Sequence, residues 1–280
     1  MDKQLISQFI KNALAEDVGD GDHTSLATIP AGTQGKAKLI IKEDGILAGI
    51  ESALEIFSEV DQSLNVDVLI NDGQEVKFGD IALTVSGSTH SILIAERLVL
   101  NCMQRMSGIA TKTNRIVLSL KNTKTKLLDT RKTTPGLRYL EKWAVRIGGG
   151  VNHRIGLYDM ILIKDNHVDY AGGISNAIHA ARKYLLDNKK NLQIEIEVRN
   201  IDELNQLIDA GGADRIMLDN FNYADLTSAV KLIDGHFITE ASGGITEDNV
   251  AEYAACGVDY ISMGALTHTV KSLDMSLKAY

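Results

Sequence analysis

The chain has 280 residues, a formal net charge of −8 and 44% hydrophobic residues, a composition typical of a globular protein. Such an acidic chain with only 5% aromatic residues is a poor match for a nucleic-acid-binding protein, because it would repel a phosphate backbone and has few rings for base stacking. No run approaches the roughly 18 apolar residues that a membrane span needs. We therefore expect neither a nucleic acid nor a membrane as partner.

The amino-terminal segment and the cysteines bear on the cellular setting. The first 20 residues, MDKQLISQFIKNALAEDVGD, contain acids and no unbroken apolar core, so they do not match a secretory signal. Cys102 and Cys256 are too few for a disulfide framework and have no partner at metal-ligand spacing. We expect a reducing, cytoplasmic setting and two cysteines that are small buried core residues.

The first part of the chain is predicted to be an antiparallel sheet between two helices. A helix is expected over Lys3 to Ala15, and a long one over Ser91 to Leu120, which we expect to join two domains. Between Gly35 and Val85 lie short alternating runs, AKLIIKEDGILAGI, LNVDVLINDGQEV and DIALTVSG. The EDG and NDG triplets between them are typical of hairpin turns.

From Lys126 onward, short β-rich runs alternate with helical segments, which is the pattern of parallel βα units. The runs are LLD at 127, MILI at 160, QIEIEV at 193, RIMLD at 215, HFITE at 236 and DYISM at 259. The last four begin 22, 21 and 23 residues apart, a near-even spacing that predicts a barrel smaller than the usual eight-stranded one. Asn200 and Thr246 are predicted N-caps of helices that end in Gly.

A doubly wound open sheet would give the same alternation and remains the alternative fold. No GxGxxG fingerprint follows the first strand, which argues against the dinucleotide-binding version of that fold.

Polar residues follow nearly every predicted strand, where ligands bind in parallel βα folds. In chain order these are Asp129-Thr130-Arg131-Lys132, Lys164-Asp165, Glu195 with Glu197, Asp219-Asn220, Glu240 with Ser242-Gly243-Gly244, and Met263-Gly264. Strands commonly stop at polar residues, so each position alone is weak evidence. Taken together, the strand ends carry cations early in the chain and carboxylates in the middle, and this joint pattern is harder to explain by chance.

Positive charge is concentrated in one stretch. Residues 131 to 164 hold seven Lys or Arg against two acids, so this window is +5 and the rest of the chain −13. The cations alternate with Gly, Thr, His and the apolar run ILIK, which favours a site for a small phosphate or carboxylate ligand over a solvated basic face. Arg131 and Arg154, with Lys132 and His153, predict two or more anionic groups, since Arg matches planar carboxylates.

Acids and glycines complete the candidate site. Glu197 and Asp219 are suited to hold sugar hydroxyls, to carry Mg²⁺ on a pyrophosphate or to stabilise positive charge, although each alone is as compatible with a structural salt bridge. Glu195 shares a strand face with Glu197, and the sequence leaves open which acid faces the ligand. The loops EASGGI and SMGALT predict a phosphate site, because small residues let backbone N–H groups approach an anion.

Lys164 at a strand end also raises a Schiff-base alternative, as in barrel aldolases. The many cations around it argue against a simple aldehyde substrate.

Several motifs occur together in one order: EDVGDGDHTS, ERLVLNCMQRMSGIAT, DTRKTTPGLRYLEKWAVRIGGGVNHR, LIKDNH, IEIEV, LDNF, EASGGI and ISMGALTH. In these motifs the chain resembles the quinolinate phosphoribosyltransferases, also called nicotinate-nucleotide pyrophosphorylases (carboxylating). The resemblance implies that quinolinate and phosphoribosyl pyrophosphate react to give nicotinate mononucleotide, pyrophosphate and carbon dioxide, a step of NAD biosynthesis. It implies a requirement for Mg²⁺ and for no organic cofactor.

The resemblance also implies the fold and the assembly. It implies an N-terminal α/β sandwich domain over 1–110, with 268–280 packing back on it, followed by an incomplete, six-to-seven-stranded α/β barrel over 111–267. It implies a homodimer in which Arg97 reaches into the partner's site.

Roles for individual residues follow from the resemblance alone. Those expected to bind the quinolinate carboxylates are Arg131, His153, Arg154 and Arg97. Those expected to be catalytic, near pyrophosphate, ribose or metal, are Lys132, Lys164, Glu197 and Asp219. The Mg²⁺ ion is expected to be held by Glu197, Asp219 and the substrate pyrophosphate. Those expected to cradle the phosphate are Ser242, Gly243, Gly244 and Gly264, while Thr130 and Thr133 flank the basic pair.

Three rival functions stay open. A molybdate-transport-associated family shares the TRKT-P-G region, but Arg97, His153, Arg154 and the LIKDNH segment favour the quinolinate enzymes. A nicotinate-specific phosphoribosyltransferase needs no second carboxylate site. A non-catalytic anion-binding barrel would keep the scaffold without turnover.

Overall fold

The structure, a computed structural model, describes residues 3–280 and divides the chain into two compact units. The first holds the chain up to Asn114 together with Thr133–Gly149 and Leu266–Tyr280, and the second holds Arg115–Lys132 and Gly150–Ala265. The expected domains, 1–110 and a continuous 111–267, stay a prediction; in the structure, the segment 133–149 groups with the first unit.

Up to residue 119 the elements are, in order, α1 (Lys3–Val18), α2 (His23–Thr28), β1 (Gln34–Ile41), β2 (Gly45–Ile46), α3 (Ile50–Val60), β3 (Asn65–Val68), β4 (Glu75–Val76), β5 (Ile81–Ser88) and α4 (Thr89–Ser119). From residue 126 they are β6 (Lys126–Leu128), α5 (Arg138–Ile147), β7 (Ile161–Ile163), α6 (Asp165–Ala171), α7 (Ile174–Asp187), β8 (Ile194–Val198), α8 (Ile201–Ala210), β9 (Arg215–Asp219), α9 (Tyr223–Ile233), β10 (Ile238–Ser242), α10 (Val250–Ala255), β11 (Tyr260–Ser262), α11 (Ala265–His268) and β12 (Met275–Ala279). The predicted helices at 3–15 and 91–120 are confirmed as α1 and α4.

The first unit contains the predicted antiparallel sheet, in the order β12-β1-β5-β3. Its centre is β1, where Leu39 lies opposite Leu277 of β12 on one side and Leu83 of β5 on the other. Alternate residues of β1, Ala37, Leu39 and Ile41, are buried, so the sheet places one apolar face in the core.

The two predicted hairpins are wrong. Strands β1 and β2, on either side of the EDG triplet, belong to different sheets, because both edges of β1 are taken by β12 and β5. Strand β2 pairs instead with β4, with Gly45 opposite Val76. Asp72 of the NDG triplet serves a helix that was not predicted: its Oδ1 accepts a hydrogen bond of 2.9 Å from Ile50 N at the start of α3.

A buried ion pair ties together the separate segments of the first unit. Glu141 of α5 is fully buried, and its Oε1 lies 2.8 Å from Arg105 Nη2 of α4. Arg105 also donates to the carbonyl of Thr267, and Glu141 Oε2 accepts from Thr134 N at 3.1 Å. Residues from three parts of the chain therefore meet at one ion pair, which accounts for the position of α5 in this unit.

The second unit is a set of six parallel strands in the order β6-β11-β10-β9-β8-β7. From β7 to β11 each strand neighbours the next along the chain, and β6 lies beside β11, with Leu127 opposite Ile261. A doubly wound sheet would reverse its order near the middle, so the barrel prediction is confirmed. Among the described residues, β6 and β7 are not paired with each other; Val151 forms a bridge to Leu128 there, which leaves the barrel incomplete.

One of the two predicted helix caps is confirmed. Asn200 Oδ1 accepts from Glu203 N at 2.9 Å and begins α8, which ends at Gly211. Thr246 is not a cap, because α10 begins later, at Val250. Asn249 Oδ1 accepts from Thr246 N at 2.8 Å and closes a turn ahead of the helix.

The two cysteines differ in their surroundings. Cys102 is buried as expected, and burial raises the pKa of its thiol to about 12. The expectation of a buried core residue is wrong for Cys256, which is only half-buried near the carbonyl of Tyr223. Among residues 3–280, no helix combines the length and the apolar character that crossing a membrane requires.

Candidate active site at the rim of the barrel

The carboxyl ends of the six parallel strands meet at one rim. Asp219 at the end of β9 lies in register with Ser242 at the end of β10, and Met263 N donates to Leu128 O at 3.0 Å beside the end of β6. The predicted site residues that the second unit holds at or just after its strand ends are Thr130, Arg131, Lys132, Lys164, Glu197, Asp219, Ser242, Gly243, Gly244 and Gly264. His153 and Arg154 belong to the same unit and follow the bridge between Val151 and Leu128.

A cluster of carboxylates forms the middle of the rim. Glu197 Oε2 lies 3.3 Å from Lys164 Nζ. Burial raises the pKa of Glu197 and of Asp219; Lys164 opposes the shift in each case, whereas the nearby Asp165 adds to it. Acids that repel one another in this way are stabilised by an added cation.

Arginines form another part of the rim. Arg154 is buried, and its Nη1 donates to the carbonyl of Met160 at 3.2 Å. Burial and the neighbouring Arg131 lower the pKa of the Arg154 guanidinium. Two guanidinium groups that repel each other favour an anion between or beside them. Lys132 is exposed, and its backbone N–H donates to Thr130 Oγ1 at 3.0 Å, so Thr130 shapes the turn that carries the cations.

His153 lies in the interior of the barrel, against two acids. Its Nε2 is 2.8 Å from Glu195 Oε2 and 3.4 Å from Glu240 Oε2, and both carboxylates are fully buried. Arg215 Nη1 lies 3.4 Å from Glu240 Oε2. We refer to His153, Glu195, Glu240 and Arg215 as the interior cluster. Glu195 thus faces His153, while Glu197, two residues further along β8, faces Lys164 at the rim.

The two ring nitrogens of His153 have different neighbours. Nδ1 accepts a hydrogen bond of 2.7 Å from Arg154 N, while Nε2 lies near the carboxylates of Glu195 and Glu240. Burial disfavours the charged ring, but the two carboxylates outweigh burial and raise the pKa of His153 to about 9. Burial and the charge of Glu240 raise the pKa of Glu195 to about 7.

His153, Glu195 and Glu240 also have the composition of a metal site. One feature argues against that use: Arg215 Nη1 lies 3.4 Å from Glu240 Oε2 and already places a positive charge there. A metal ion bound to Glu240 would have to compete with this charge.

Some residues that build the site had no predicted role. Asp129 is fully buried after β6, and its Oδ1 accepts from His153 N at 2.9 Å. Asn220 has a left-handed φ of 57° and donates from its backbone N to Ser242 O at 2.8 Å. The sequence could have indicated these two residues by their position directly after a predicted strand or at its end. For Asn220, the tolerance of Asn for a left-handed backbone was a further indication.

The loop after β10 has the backbone of an anion site. Gly243 and Gly244 have φ of 95° and 62°, a region that residues with a Cβ rarely adopt. A Cβ at Gly243 would collide with the side chain of Asn220. Both glycines are therefore required by the loop geometry, and an added Cβ at Gly244 would have no atom within 4 Å, which leaves that side of the turn open to an anion.

Two predicted residues lie in the first unit. Arg97 is exposed on α4, and Thr133 Oγ1 accepts from Arg138 Nε at 3.0 Å. Their expected contacts with substrate remain predictions.

The basic stretch is divided between the units. Arg138, Lys142 and Arg146 lie on α5 of the first unit, and Lys142 is buried there. For these three cations, the expectation that the basic stretch serves a small anionic ligand stays a prediction. The cations that the second unit holds are Arg131, Lys132, Arg154 and Lys164.

The fold and the rim define an α/β-barrel protein with a site for a small ligand that carries several negative charges. The family model described as the C-terminal domain of quinolinate phosphoribosyl transferase matches residues 109–278, and the N-terminal domain model matches residues 22–107. The chain belongs to the quinolinate phosphoribosyltransferase family.

Individual relatives agree with this assignment. The chain is 49% identical to quinolinate phosphoribosyltransferase [decarboxylating] 1b of Nicotiana tabacum, over 96% of this chain and 81% of the relative. It is 48% identical to the chloroplastic nicotinate-nucleotide pyrophosphorylase [carboxylating] of rice, Oryza sativa subsp. japonica, over 96% of this chain and 76% of the relative. The solved nicotinate-nucleotide pyrophosphorylase of Francisella tularensis superposes with a TM-score of 0.93 at 42% identity, covering 100% of this chain and 98% of the other.

We predict that Gly243→Ala weakens the binding of inorganic pyrophosphate, measured by calorimetry, by about tenfold or more, because the new Cβ strains the turn and displaces Asn220. Gly235→Ala is the matched control, since Gly235 also has a positive φ of 74° but nothing within 4 Å of the added Cβ. Equal weakening in both variants would show that the loop after β10 is not the anion site.

Proposed function

We propose that the protein transfers the phosphoribosyl group of phosphoribosyl pyrophosphate to quinolinate with loss of carbon dioxide, giving nicotinate mononucleotide and pyrophosphate. In enzyme terms this is a nicotinate-nucleotide diphosphorylase (carboxylating), a pentosyl-group glycosyltransferase. The observation that carries the proposal is the rim itself, where guanidinium and ammonium groups share one edge of the barrel with Glu197 and Asp219. Membership of the family supports it.

The arginines are proposed to select the pyridine dicarboxylate. The charge of Arg131 contributes to the lowered pKa of Arg154, which supports the proposal that the two guanidinium groups share one small dianion. Each guanidinium can pair with a planar carboxylate through two parallel hydrogen bonds. Nicotinate, with a single carboxylate, would leave one of them uncompensated, so the pair favours quinolinate.

The transfer step needs charge of both signs. As pyrophosphate departs, negative charge grows on the leaving oxygen and positive charge on the ribose ring. Lys132 and Lys164 are proposed to stabilise the former, while Glu197 and Asp219 stabilise the latter and hold the ribose hydroxyls. Lys164 Nζ lies 3.3 Å from Glu197 Oε2, and this ion pair suits an electrostatic role better than a Schiff base.

The carboxylates also fit a divalent cation. Glu197, Asp219 and Asp165 offer the hard oxygen ligands that Mg²⁺ prefers. Burial raises the pKa of Glu197 and of Asp219, and the neighbouring Asp165 adds to both shifts. We propose that Glu197 and Asp219 hold Mg²⁺ together with the substrate pyrophosphate, where it would neutralise charge on the leaving group. No organic cofactor is needed for this chemistry.

Loss of carbon dioxide follows from the product of the transfer. Once the ring nitrogen carries ribose it is positive, so the bond from the adjacent ring carbon to its carboxylate can break and leave its electron pair on that carbon. The positive nitrogen stabilises the pair until a proton is added. The protein is therefore proposed to contribute orientation and charge rather than a covalent nucleophile.

Turnover tests the proposal directly. With Mg²⁺ and phosphoribosyl pyrophosphate, the protein should convert quinolinate to nicotinate mononucleotide and release equimolar carbon dioxide and pyrophosphate, measured by chromatography and gas trapping. Turnover of nicotinate alone would overturn the substrate assignment. Binding of both substrates without any product would identify a non-catalytic anion-binding barrel instead.

A second prediction separates the two substrates. Arg131→Ala should raise the quinolinate KM by about 100-fold and the phosphoribosyl pyrophosphate KM by no more than about threefold, since a lost bidentate pair affects only the carboxylate side. Arg146→Ala, an exposed cation of the same stretch on α5, is the control and should change neither. Equal increases in both KM values would contradict the role given to Arg131.

The metal proposal predicts a changed Mg²⁺ requirement. Glu197→Gln and Asp219→Asn should each raise the Mg²⁺ concentration for half-maximal turnover by about tenfold or more, because each removes a charged oxygen ligand. The control is Asp248→Asn, which changes an exposed carboxylate outside the proposed metal site and should leave the Mg²⁺ requirement unchanged. An unchanged requirement in both site variants would exclude these two ligands.

We further propose a homodimer in which Arg97 completes the partner's site. The exposure of Arg97 on α4 supports this, because a guanidinium expected to meet substrate has to be accessible. Arg97→Ala and Lys132→Ala should each be inactive, yet a mixture allowed to exchange subunits should regain about a quarter of the wild-type activity, since half the dimers carry one intact site of two.

The matched control mixes Arg131→Ala with Lys132→Ala. Both residues lie in the same unit of the chain, so every hybrid site lacks one of them and activity should not return. No recovery in the Arg97 mixture, with subunit exchange demonstrated by mass spectrometry, would place Arg97 in its own subunit's site or outside the site.

A reducing, cytoplasmic setting is also part of the proposal. Its support is that both Cys102 and Cys256 are free thiols.

A further inference from the structure

Asn220 has a backbone conformation that the end of a helix does not explain. Among the described residues, three other than glycine have a positive φ: Lys189, Asn220 and Asp234. Lys189 and Asp234 follow the helices α7 and α9, where a left-handed residue is common. Asn220 instead follows β9 at the rim of the barrel, with a φ of 57°. Left-handed residues away from helix ends are concentrated at functional sites.

The side chain of Asn220 holds the neighbouring acid. Its Nδ2 donates a hydrogen bond of 2.5 Å to Asp219 Oδ2. Burial raises the pKa of Asp219, and this hydrogen bond opposes the shift, so the contact favours the carboxylate form. Because a carboxylate is planar and rigid, fixing Oδ2 also fixes the direction of Oδ1.

The same residue holds the loop after β10. Its backbone N donates to Ser242 O at 2.8 Å, one residue beyond the paired positions Asp219 and Ser242. Its Oδ1 is the atom nearest to the point where a Cβ of Gly243 would lie, so the amide fills the space that this glycine leaves. Asn220 is therefore in contact with both the acid and the loop.

A sugar phosphate would meet both of these parts at once. Its hydroxyls and its phosphate belong to one small molecule, so the carboxylate and the loop that bind them need a matching separation. Strands β9 and β10 fix that separation in the backbone as far as Asp219 and Ser242. Beyond the strands, the contacts of Asn220 extend it to the carboxylate and to the loop.

We propose that Asn220 is a positioning residue for the phosphoribosyl substrate, because it sets the distance between the Asp219 carboxylate and the phosphate loop at Gly243. Asn suits this position, since it tolerates a left-handed backbone and carries a donor on a short side chain. The inference rests on the proposed function, because Asp219 and the loop are two of the proposed contacts with that substrate.

The first experiment uses Asn220→Gly, because glycine keeps the left-handed backbone and removes only the amide. Calorimetry without added Mg²⁺ compares two probes. Binding of ribose 5-phosphate, which spans both parts of the site, should weaken by about tenfold or more, whereas binding of inorganic phosphate should stay within about threefold. A loop that had merely been damaged would lose both ligands equally.

Asp234→Gly is the matched control. It makes the same change of a left-handed residue to glycine, at a φ of 46° at the end of α9, so its effect on backbone freedom is comparable. Neither affinity should change in this variant.

Turnover gives a second readout. Asn220→Gly should lower kcat/KM for phosphoribosyl pyrophosphate by about tenfold or more, while the quinolinate KM stays within about twofold, since the amide acts on the sugar-phosphate side alone. A loss shared equally by the two substrates would contradict the positioning role.

Nuclear magnetic resonance of ¹⁵N-asparagine-labelled wild-type protein tests the contact without relying on turnover. The side-chain amide signals of Asn220, assigned by their loss in Asn220→Gly, should show one proton shifted downfield by the carboxylate of Asp219. Two amide protons at the positions of a solvated asparagine would overturn the inference.

The inference and the proposed function fail separately. Equal weakening of both probes in Asn220→Gly, unchanged binding of ribose 5-phosphate, or no binding of it to the wild type would overturn the role of Asn220. If the wild type does not turn over quinolinate but its binding of ribose 5-phosphate depends on Asn220, the proposed function fails and the positioning of a sugar phosphate stands.

Discussion

The parallel direction of β6 to β11 is the constraint on which the site depends. Because every strand ends at the same edge, residues far apart in sequence, such as Lys132, Glu197 and Gly264, come from one rim of one unit. The hydrogen-bonded register makes this arrangement rigid: Asp219 lies opposite Ser242, so an acid and a phosphate loop are fixed relative to each other by backbone bonds. Side chains at this rim can therefore be specialised without changing the fold.

Like charges gathered in this way repel, and the repulsion explains the chemistry of the site. Burial and neighbouring acids raise the pKa of Glu197 and Asp219, whereas burial and Arg131 lower the pKa of Arg154. Such shifts mean that the free protein holds its charged groups in unfavourable surroundings. A ligand with carboxylates, phosphates and a developing cation would place an opposite charge beside each of these groups. Part of its binding free energy therefore comes from removing repulsion that the free protein already contains.

Local patterns predicted what local forces determine. The period of apolar runs predicted all six strands of the second unit, and Asn200 predicted a helix start, because each depends on neighbours within one turn or strand. Long-range contacts decided what the sequence left open or got wrong. The EDG triplet does not form a hairpin because β12, from the far end of the chain, occupies an edge of β1. Likewise, only the fold separates Glu195, which faces His153, from Glu197 at the rim, since both lie on the same face of β8.

The contrast between these two acids shows why recognition extends below the surface that a ligand touches. A rim arginine is useful only if its guanidinium is held in place, and Arg154 begins at a backbone N–H whose partner is the imidazole of His153. The charged interior of the barrel is costly for stability by itself. Opposite charges offset part of that cost, because Arg215 Nη1 lies 3.4 Å from Glu240 Oε2 and His153 Nε2 lies 2.8 Å from Glu195 Oε2. The acids behind Arg154 therefore depend on cations within the barrel, just as the arginines at the rim depend on an anion from outside it.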